Sequence, residues 1–161
     1  MAVQISSLHN PHIKQLVRLN TRRQRDQHKR TLVEGVREAA RALEVGLVPY
    51  EAYICPPLLK DEQAEVCVAS LIELENKGQT ELFEVTTAVF AKIAYRGESG
   101  GLLLVIPYLQ HTLENLPLGQ PPFLVMVEAA EKPGNLGAIL RTADAAGVDG
   151  LIVCGSGGEG G

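Results

Sequence analysis

Apolar segments typical of strands alternate with segments of helical periodicity along residues 1–106, and this alternation constrains the fold more than any other feature. Strands that alternate with helices are typical of a compact α/β unit with a largely parallel sheet. The sequence predicts short strands at 31–34, 51–55, 82–85 and 102–106.

Two helices of this region have recognisable starts. Asn10 can cap a helix, and Pro11 suits the first helical turn. Asp61 can cap a second helix that is expected to end near Lys77. The apolar positions of this second helix recur at helical spacing, and those expected to face the core are Val66, Ala69 and Ile72.

A proline-rich stretch at 107–122 has no sustained period, and we interpret it as a linker. It separates a first domain at 1–106 from a second at 123–161. The second domain is predicted to contain one strand–helix–strand unit, at 123–127, 136–146 and 151–154. Such a unit exposes an open sheet face. The first domain, a second subunit or a C-terminal segment absent from this chain could cover that face, and we favour the last.

Composition excludes several classes of protein. Of the 161 residues, 45% are hydrophobic and 21% are charged, which is ordinary for a globular protein. The apolar runs are too short to span a bilayer, and the first residues do not resemble a signal peptide. We therefore expect no membrane partner. The cysteines lack C-x-x-C spacing, so we expect no metal site, a reducing cytoplasmic location and three buried thiols, at Cys55, Cys67 and Cys154.

Charge is divided unevenly along the chain. Residues 1–41 carry nine basic and three acidic groups, a net charge of +6, whereas the remainder carries six basic and 16 acidic groups, a net charge of −10. This asymmetry indicates RNA or another anionic partner at the N-terminal side, and a solvated helical face is the alternative. The candidate RNA-binding residues are Lys14, Arg18, Arg22, Arg23, Arg25, Lys29 and Arg30.

The segment from 128 to 147 carries the candidate chemistry. Pro133 and Gly134 are expected to turn the chain out of a strand, so that Asn135 caps the following helix. The free N–H groups of that helix start would suit a phosphate or carboxylate. The residues expected to pack on the sheet are Leu136, Ile139, Leu140 and Ala143.

Arg141 falls on another face of this predicted helix. Gly137 and Ala138 precede it by about one turn, and such small residues would let a ligand approach the guanidinium. A structural alternative is an ion pair with Asp144, three residues further on. The residues alone leave both alternatives open.

Residues 133–147 read Pro-Gly-Asn-Leu-Gly-Ala-Ile-Leu-Arg-Thr-Ala-Asp-Ala-Ala-Gly. This segment resembles the first signature motif of the SpoU-type (TrmH-like) RNA 2′-O-ribose methyltransferases of the SPOUT superfamily. Three earlier segments resemble the substrate-binding domain of the same family, namely Ile5–Lys14, Leu32–Ala39 and Tyr95–Leu103. The resemblance therefore covers nearly the whole chain.

The resemblance implies a small α/β RNA-binding domain, similar to kink-turn-binding ribosomal proteins, followed by the start of a trefoil-knot α/β methyltransferase domain. It implies catalytic roles for Arg141 and Asn135. It also implies S-adenosylmethionine as cofactor, bound by residues expected beyond Gly161, so that this chain alone is expected to be inactive.

The resemblance further implies RNA as the partner, ribosomal rather than transfer RNA, and a homodimer in the complete protein. A function from another class remains open, in which the chain is a stand-alone, non-catalytic RNA-binding module.

Overall fold

The computed structural model describes residues 2–95, 100–108, 112–128 and 133–155. The backbone divides into two compact units, Met1–Tyr108 and Leu109–Gly161. Parts of the motifs quoted above lie outside the described residues, as does the glycine-rich end; they are residues 96–99 and 156–161.

The first unit holds a five-stranded sheet in the order β1-β4-β3-β5-β2. The strands are β1 (Val3–Ile5), β2 (Arg30–Glu34), β3 (Glu51–Ile54), β4 (Glu81–Val85) and β5 (Leu102–Pro107). The helices are α1 (Pro11–Arg18), α2 (Arg22–His28), α3 (Val36–Glu44), α4 (Glu62–Asn76) and α5 (Thr87–Ile93). The four predicted strands and the helix starts at Asn10 and Asp61 are confirmed, because both side chains accept a backbone N–H of the first turn.

The sheet is mixed, so the prediction of a largely parallel sheet holds only for part of it. Strand β4 pairs in parallel with both β1 and β3. Strand β5 pairs antiparallel with both β3 and β2. The α/β class itself is confirmed, and the antiparallel strand is what the apolar pattern of the sequence could not reveal, because pairing direction leaves no mark on a strand covered on both faces.

Two apolar layers cover the sheet because side chains alternate along each strand. On β5, Leu103 and Val105 face the layer that contains α1 and α5, whereas Leu102, Leu104 and Ile106 face the layer that contains α3 and α4. All five side chains are buried. This interior strand therefore contributes side chains to both halves of the core.

The buried face of α4 differs from the predicted one. Val66 and Ile72 are 60% and 42% exposed, whereas the helix buries Ala64, Cys67 and Leu71. Both sets of residues recur at helical spacing, so periodicity alone cannot choose between them. The structure turns Ala64, Cys67 and Leu71 inward, where α4 packs against α3, and leaves the predicted Val66, Ala69 and Ile72 exposed.

Two of the three cysteines are fully buried, as predicted, and Cys154 is only half-buried. Burial raises the pKa of the Cys55 and Cys67 thiols above the ordinary value. Among the described residues, none of the helices combines the length and apolar character that a membrane crossing requires.

The second unit contains β6 (Leu124–Glu128), α6 (Pro133–Ala145) and β7 (Gly150–Cys154), and the two strands pair in parallel. Asp149 fixes the start of the pair, because its carboxylate accepts the Phe123 N–H at 2.8 Å while its own N–H donates to the Phe123 carbonyl at 2.8 Å. The predicted strand–helix–strand unit is confirmed.

Candidate functional site

Five of the candidate RNA-binding residues carry exposed side chains on or beside the first two helices, and we call them the basic surface: Lys14, Arg18, Arg22, Arg23 and Lys29. Lys14 and Arg18 lie four residues apart and so share one face of α1. Arg22 forms an exposed ion pair with Asp26 at 3.6 Å, which is worth little in water. Positive charge therefore lies along both helices.

Arg25 has a structural task within this region. Its Nη1 donates to the Leu19 carbonyl at 3.0 Å and to the Asn20 carbonyl at 2.8 Å. These carbonyls follow the end of α1, where backbone acceptors lack helical partners. Arg25 thereby fixes α2 against the end of α1, so we assign it to positioning the basic surface rather than to RNA contact.

Arg30 is also engaged within the protein. Its Nη1 lies 2.7 Å from Oε1 of Glu51, and its guanidinium lies 4.7 Å from the centre of the Tyr50 ring. The Tyr53 hydroxyl donates to the other Glu51 oxygen at 2.6 Å, and burial and this carboxylate raise the pKa of Tyr53. Arg30 therefore ties the edge strand β2 to β3 across β5, and we remove it from the proposed RNA surface.

A cleft of about 850 Å³ opens beside α2, at the junction of β2 and α3. Arg25 and Arg37 line it, together with three carboxylates and Tyr95. Two of these carboxylates already hold backbone groups, since Glu34 accepts the Tyr95 N–H at 2.7 Å and Asp61 caps α4.

Tyr95 is 82% exposed, so its ring presents a flat apolar surface at the cleft. Sequence reasoning missed both Arg37 and Tyr95 as site residues. Arg37 was visible only as one of the nine N-terminal basic groups, and Tyr95 only as the start of a resembling segment.

Helix α6 begins at Pro133, three residues earlier than the start at 136 that an Asn135 cap predicts. Proline has its φ angle pre-set for a first helical turn, which explains why the helix starts there. Asn135 is therefore an exposed residue of the first turn and not the cap. The residues before the helix, 129–132, lie outside the described ranges.

Arg141 is exposed, and its guanidinium lies back along α6 over Gly137. A β-carbon on Gly137 would lie 3.6 Å from Nη1 of Arg141. Arginine side chains in helices lean toward the N-terminus, and this direction brings the charge toward the first turn, where Asn135 lies about 9 Å before Arg141 along the axis. Within the described residues, Arg141 forms no ion pair with Asp144, so the structural alternative is not observed.

The packing stripe of α6 is only partly confirmed. Ala143 is buried and Leu136 and Ile139 are half-buried, but Leu140 is 47% exposed. Both faces of the small sheet carry an exposed apolar side chain, since the register places Met126 and Val153 on opposite faces and they are 69% and 51% exposed. The second unit contains too few described residues to cover the apolar stripe of α6 completely.

The described ranges contain no cluster of three or more His, Cys, Asp or Glu side chains placed to hold a metal ion. Strands β6 and β7 could contact a methyl-donor cofactor, but the segments that follow both strands lie outside the described residues. The described side chains along the strands are mainly apolar, and we assign none of them to a cofactor.

Comparison with known proteins gives a consistent result. The family described as MRM3-like substrate binding domain matches residues 10–103. An uncharacterized tRNA/rRNA methyltransferase of Synechocystis is 30% identical over 152 residues, covering 91% of this chain and 51% of that protein.

Two crystal structures extend the similarity to the fold. An RNA 2′-O ribose methyltransferase is 36% identical with a TM-score of 0.78, covering 96% of this chain and 56% of that one. The AdoMet-bound rRNA methyltransferase from Sinorhizobium meliloti is 25% identical with a TM-score of 0.77, covering 94% and 54% of the two chains.

The chain thus spans about half the length of the relatives that it matches. Helix α6, which carries the motif quoted above, and the fold of the first unit are both consistent with the family match. The chain belongs to the family of the MRM3-like substrate binding domain, which matches its residues 10–103, and it is similar to SpoU-type and RNA 2′-O ribose methyltransferases over about half of their length.

Proposed function

We propose that this chain supplies the RNA-binding domain and the first part of the catalytic domain of an rRNA 2′-O-ribose methyltransferase. The observation that carries the proposal is the position of Arg141, exposed on α6 and lying over Gly137 without an intramolecular carboxylate partner among the described residues. The similarity to an RNA 2′-O ribose methyltransferase over 96% of the chain supports the reaction class.

Arg141 suits the chemistry of a ribose hydroxyl. The 2′-OH must lose its proton as it attacks a methyl group, so developing negative charge on the oxygen needs stabilisation. A guanidinium keeps its own proton at neutral pH and is a poor base. We assign Arg141 to holding the neighbouring RNA phosphate and lowering the pKa of the hydroxyl electrostatically, while the Asn135 amide fixes that arrangement through hydrogen bonds.

S-adenosylmethionine, when bound, supplies the methyl group in the complete enzyme. Its presence in the Sinorhizobium relative supports this assignment. We place its binding residues, and the trefoil knot, in the part of the protein beyond Gly161. The same part would cover the exposed Met126 and Val153 side chains. A homodimer in the cytoplasm remains part of this proposal.

The first unit is proposed to bind RNA through the basic surface. Contacts of lysine and arginine with phosphates position a protein on RNA without reading its sequence. The adjoining cleft offers Tyr95 for stacking with an unpaired base, the mode by which proteins recognise RNA loops. Ribosomal RNA is preferred as substrate because a solved relative is an rRNA methyltransferase.

Reversing two charges of the basic surface tests this assignment. We expect Arg22→Glu combined with Arg23→Glu to weaken binding of a short rRNA hairpin at least about 10-fold. The double variant makes fewer phosphate contacts, so binding releases fewer counterions from the RNA. The slope of log affinity against log salt should become shallower by roughly one to two. Filter binding between 50 and 200 mM salt measures both quantities.

The matched control changes the net charge equally but elsewhere. Lys60→Glu combined with Lys77→Glu alters two exposed lysines beside α4 and should leave RNA affinity within about 2-fold. Equal weakening by both double variants would show that overall charge, and not the basic surface, controls binding. A salt-independent affinity would also contradict the proposal.

The 161-residue chain itself should bind RNA but not S-adenosylmethionine. We expect no heat of binding in titration calorimetry with the cofactor, since its binding residues are assigned to the remainder of the protein. Micromolar cofactor affinity would refute that division. Methyl transfer by the complete protein would exclude the alternative, a non-catalytic RNA-binding module. Intact RNA binding without methyl transfer would favour that alternative.

A further inference from the structure

An apolar groove runs between α3 and α4, on the sheet face opposite α1 and α5. Its volume is about 610 Å³. Its apolar lining includes Leu43, Leu47, Val48, Val66 and Leu74. Val66 and Val48 are 60% and 38% exposed, whereas Leu43, Leu47 and Leu74 are half-buried and pack against the core beneath the groove. A groove with an apolar lining that includes exposed side chains is typical of an interaction site.

Acidic side chains border the groove. Glu44 of α3 and Glu62 of α4 form no hydrogen bond or ion pair with other described residues, whereas Glu73 lies 4.0 Å from the Lys77 ammonium. The 15 residues of α4 include four carboxylates and no basic residue. A ligand of this groove must therefore combine apolar groups with positive charge.

This requirement excludes several occupants. RNA and anionic lipid would be repelled by the carboxylates. A second copy of the chain offers no suitable helix among its described residues. Helix α1 buries Ile13 and Leu16, α2 contains no apolar side chain, and α6, which exposes Leu140, has Arg141 as its one basic residue. Among the classes that remain, a helical segment of another protein can combine an apolar stripe with lysine or arginine residues.

We propose that the α3–α4 groove docks an amphipathic helix of a partner protein, with an apolar stripe between lysine or arginine residues. Its apolar stripe would contact Val48 and Val66, and its cations would pair with Glu44 and Glu62. A helix in a groove between two helices is an established mode of recognition. The basic surface lies on other elements, so this groove adds a protein contact to an RNA-binding domain.

A designed peptide tests the groove directly. The probe is a helical peptide of about 14 residues, or four turns, with leucines at positions i, i+3, i+4 and i+7, lysines elsewhere and one tryptophan in the apolar stripe. The protein contains no tryptophan, so the peptide fluorescence reports binding alone. We expect saturable micromolar binding with a blue shift of the emission, and no binding of a peptide that carries glutamate in place of lysine.

Groove variants locate the site. Glu44→Lys with Glu62→Lys should weaken peptide binding at least about 10-fold, and Val66→Ser about 3-fold or more. Matched controls outside the groove, Glu65→Lys with Glu81→Lys and Val45→Ser, should leave it within about 2-fold. Equal effects of groove and control variants, equal binding of the acidic peptide, or no binding of the basic one would each overturn the proposal.

Discussion

Replacing Arg141 with lysine in the complete methyltransferase is expected to lower kcat about 100-fold, the size of effect seen when one donor to a developing oxyanion is removed. Lysine keeps the positive charge but cannot present two parallel N–H donors to a phosphate. The position over Gly137 also depends on the long, planar side chain that α6 directs toward its first turn. Transfer of a labelled methyl group to rRNA under single-turnover conditions measures the effect.

The control for this substitution is Arg41→Lys, which changes an exposed arginine of α3 in the same way and should leave kcat unchanged. RNA and cofactor affinities of the Arg141 variant should stay within about 3-fold, because lysine keeps the positive charge that attracts the phosphate and the basic surface is proposed to bind the RNA. Its rate should rise with pH more steeply than that of the unmodified enzyme, since hydroxide then replaces the missing electrostatic help. Near-normal turnover with lysine would refute the two-donor role.

Replacing Gly101 with alanine should cause the largest loss of stability among single glycine substitutions in the described part of the chain. Gly101 is buried with φ +76°, and a β-carbon there would lie 2.8 Å from both the Cys55 carbonyl oxygen and the Leu58 β-carbon. Its own carbonyl accepts the Cys55 N–H at 2.8 Å, so the backbone cannot shift without breaking that bond. We expect a loss of roughly 2–5 kcal/mol, from left-handed backbone strain and overpacking.

Gly78→Ala separates these two causes. Gly78 has a similar φ of +68°, but nothing lies within 4 Å of the added carbon. Its cost should be about 1–2 kcal/mol, from backbone strain alone. Urea unfolding followed by circular dichroism gives both values, and equal losses would show that the close approach at Cys55 does not matter.

Strand positions were predictable because apolar runs between turn residues leave a local record in the sequence. The run at 102–106, for example, is β5 almost residue for residue. Its antiparallel pairing was not predictable, because a strand covered on both faces looks the same in either direction. The inward face of α4 was missed for a related reason. Ala64 and Val66 belong to two different sets of residues that both recur at helical spacing, so the sequence does not show which set faces the core.

The candidate site shows the same division between local and long-range information. The face of Arg141 on its helix follows from helical spacing, and the structure places it over Gly137 as that spacing predicts. The roles of Arg25 and Arg30 did not follow from the charge pattern. Arg30 meets Glu51, 21 residues away, and a count of charges cannot show which cations find partners when the chain folds.

The link from Arg30 through Glu51 to Tyr53 joins an edge strand to the sheet interior, and Lys29 of the basic surface immediately precedes that strand. Edge strands of sheets commonly fray, and loops attached to them move with them. We therefore expect this attachment to restrain Lys29 before any nucleic acid binds. Binding would then cost little free energy for ordering the protein, and the RNA rather than the protein would change conformation on binding.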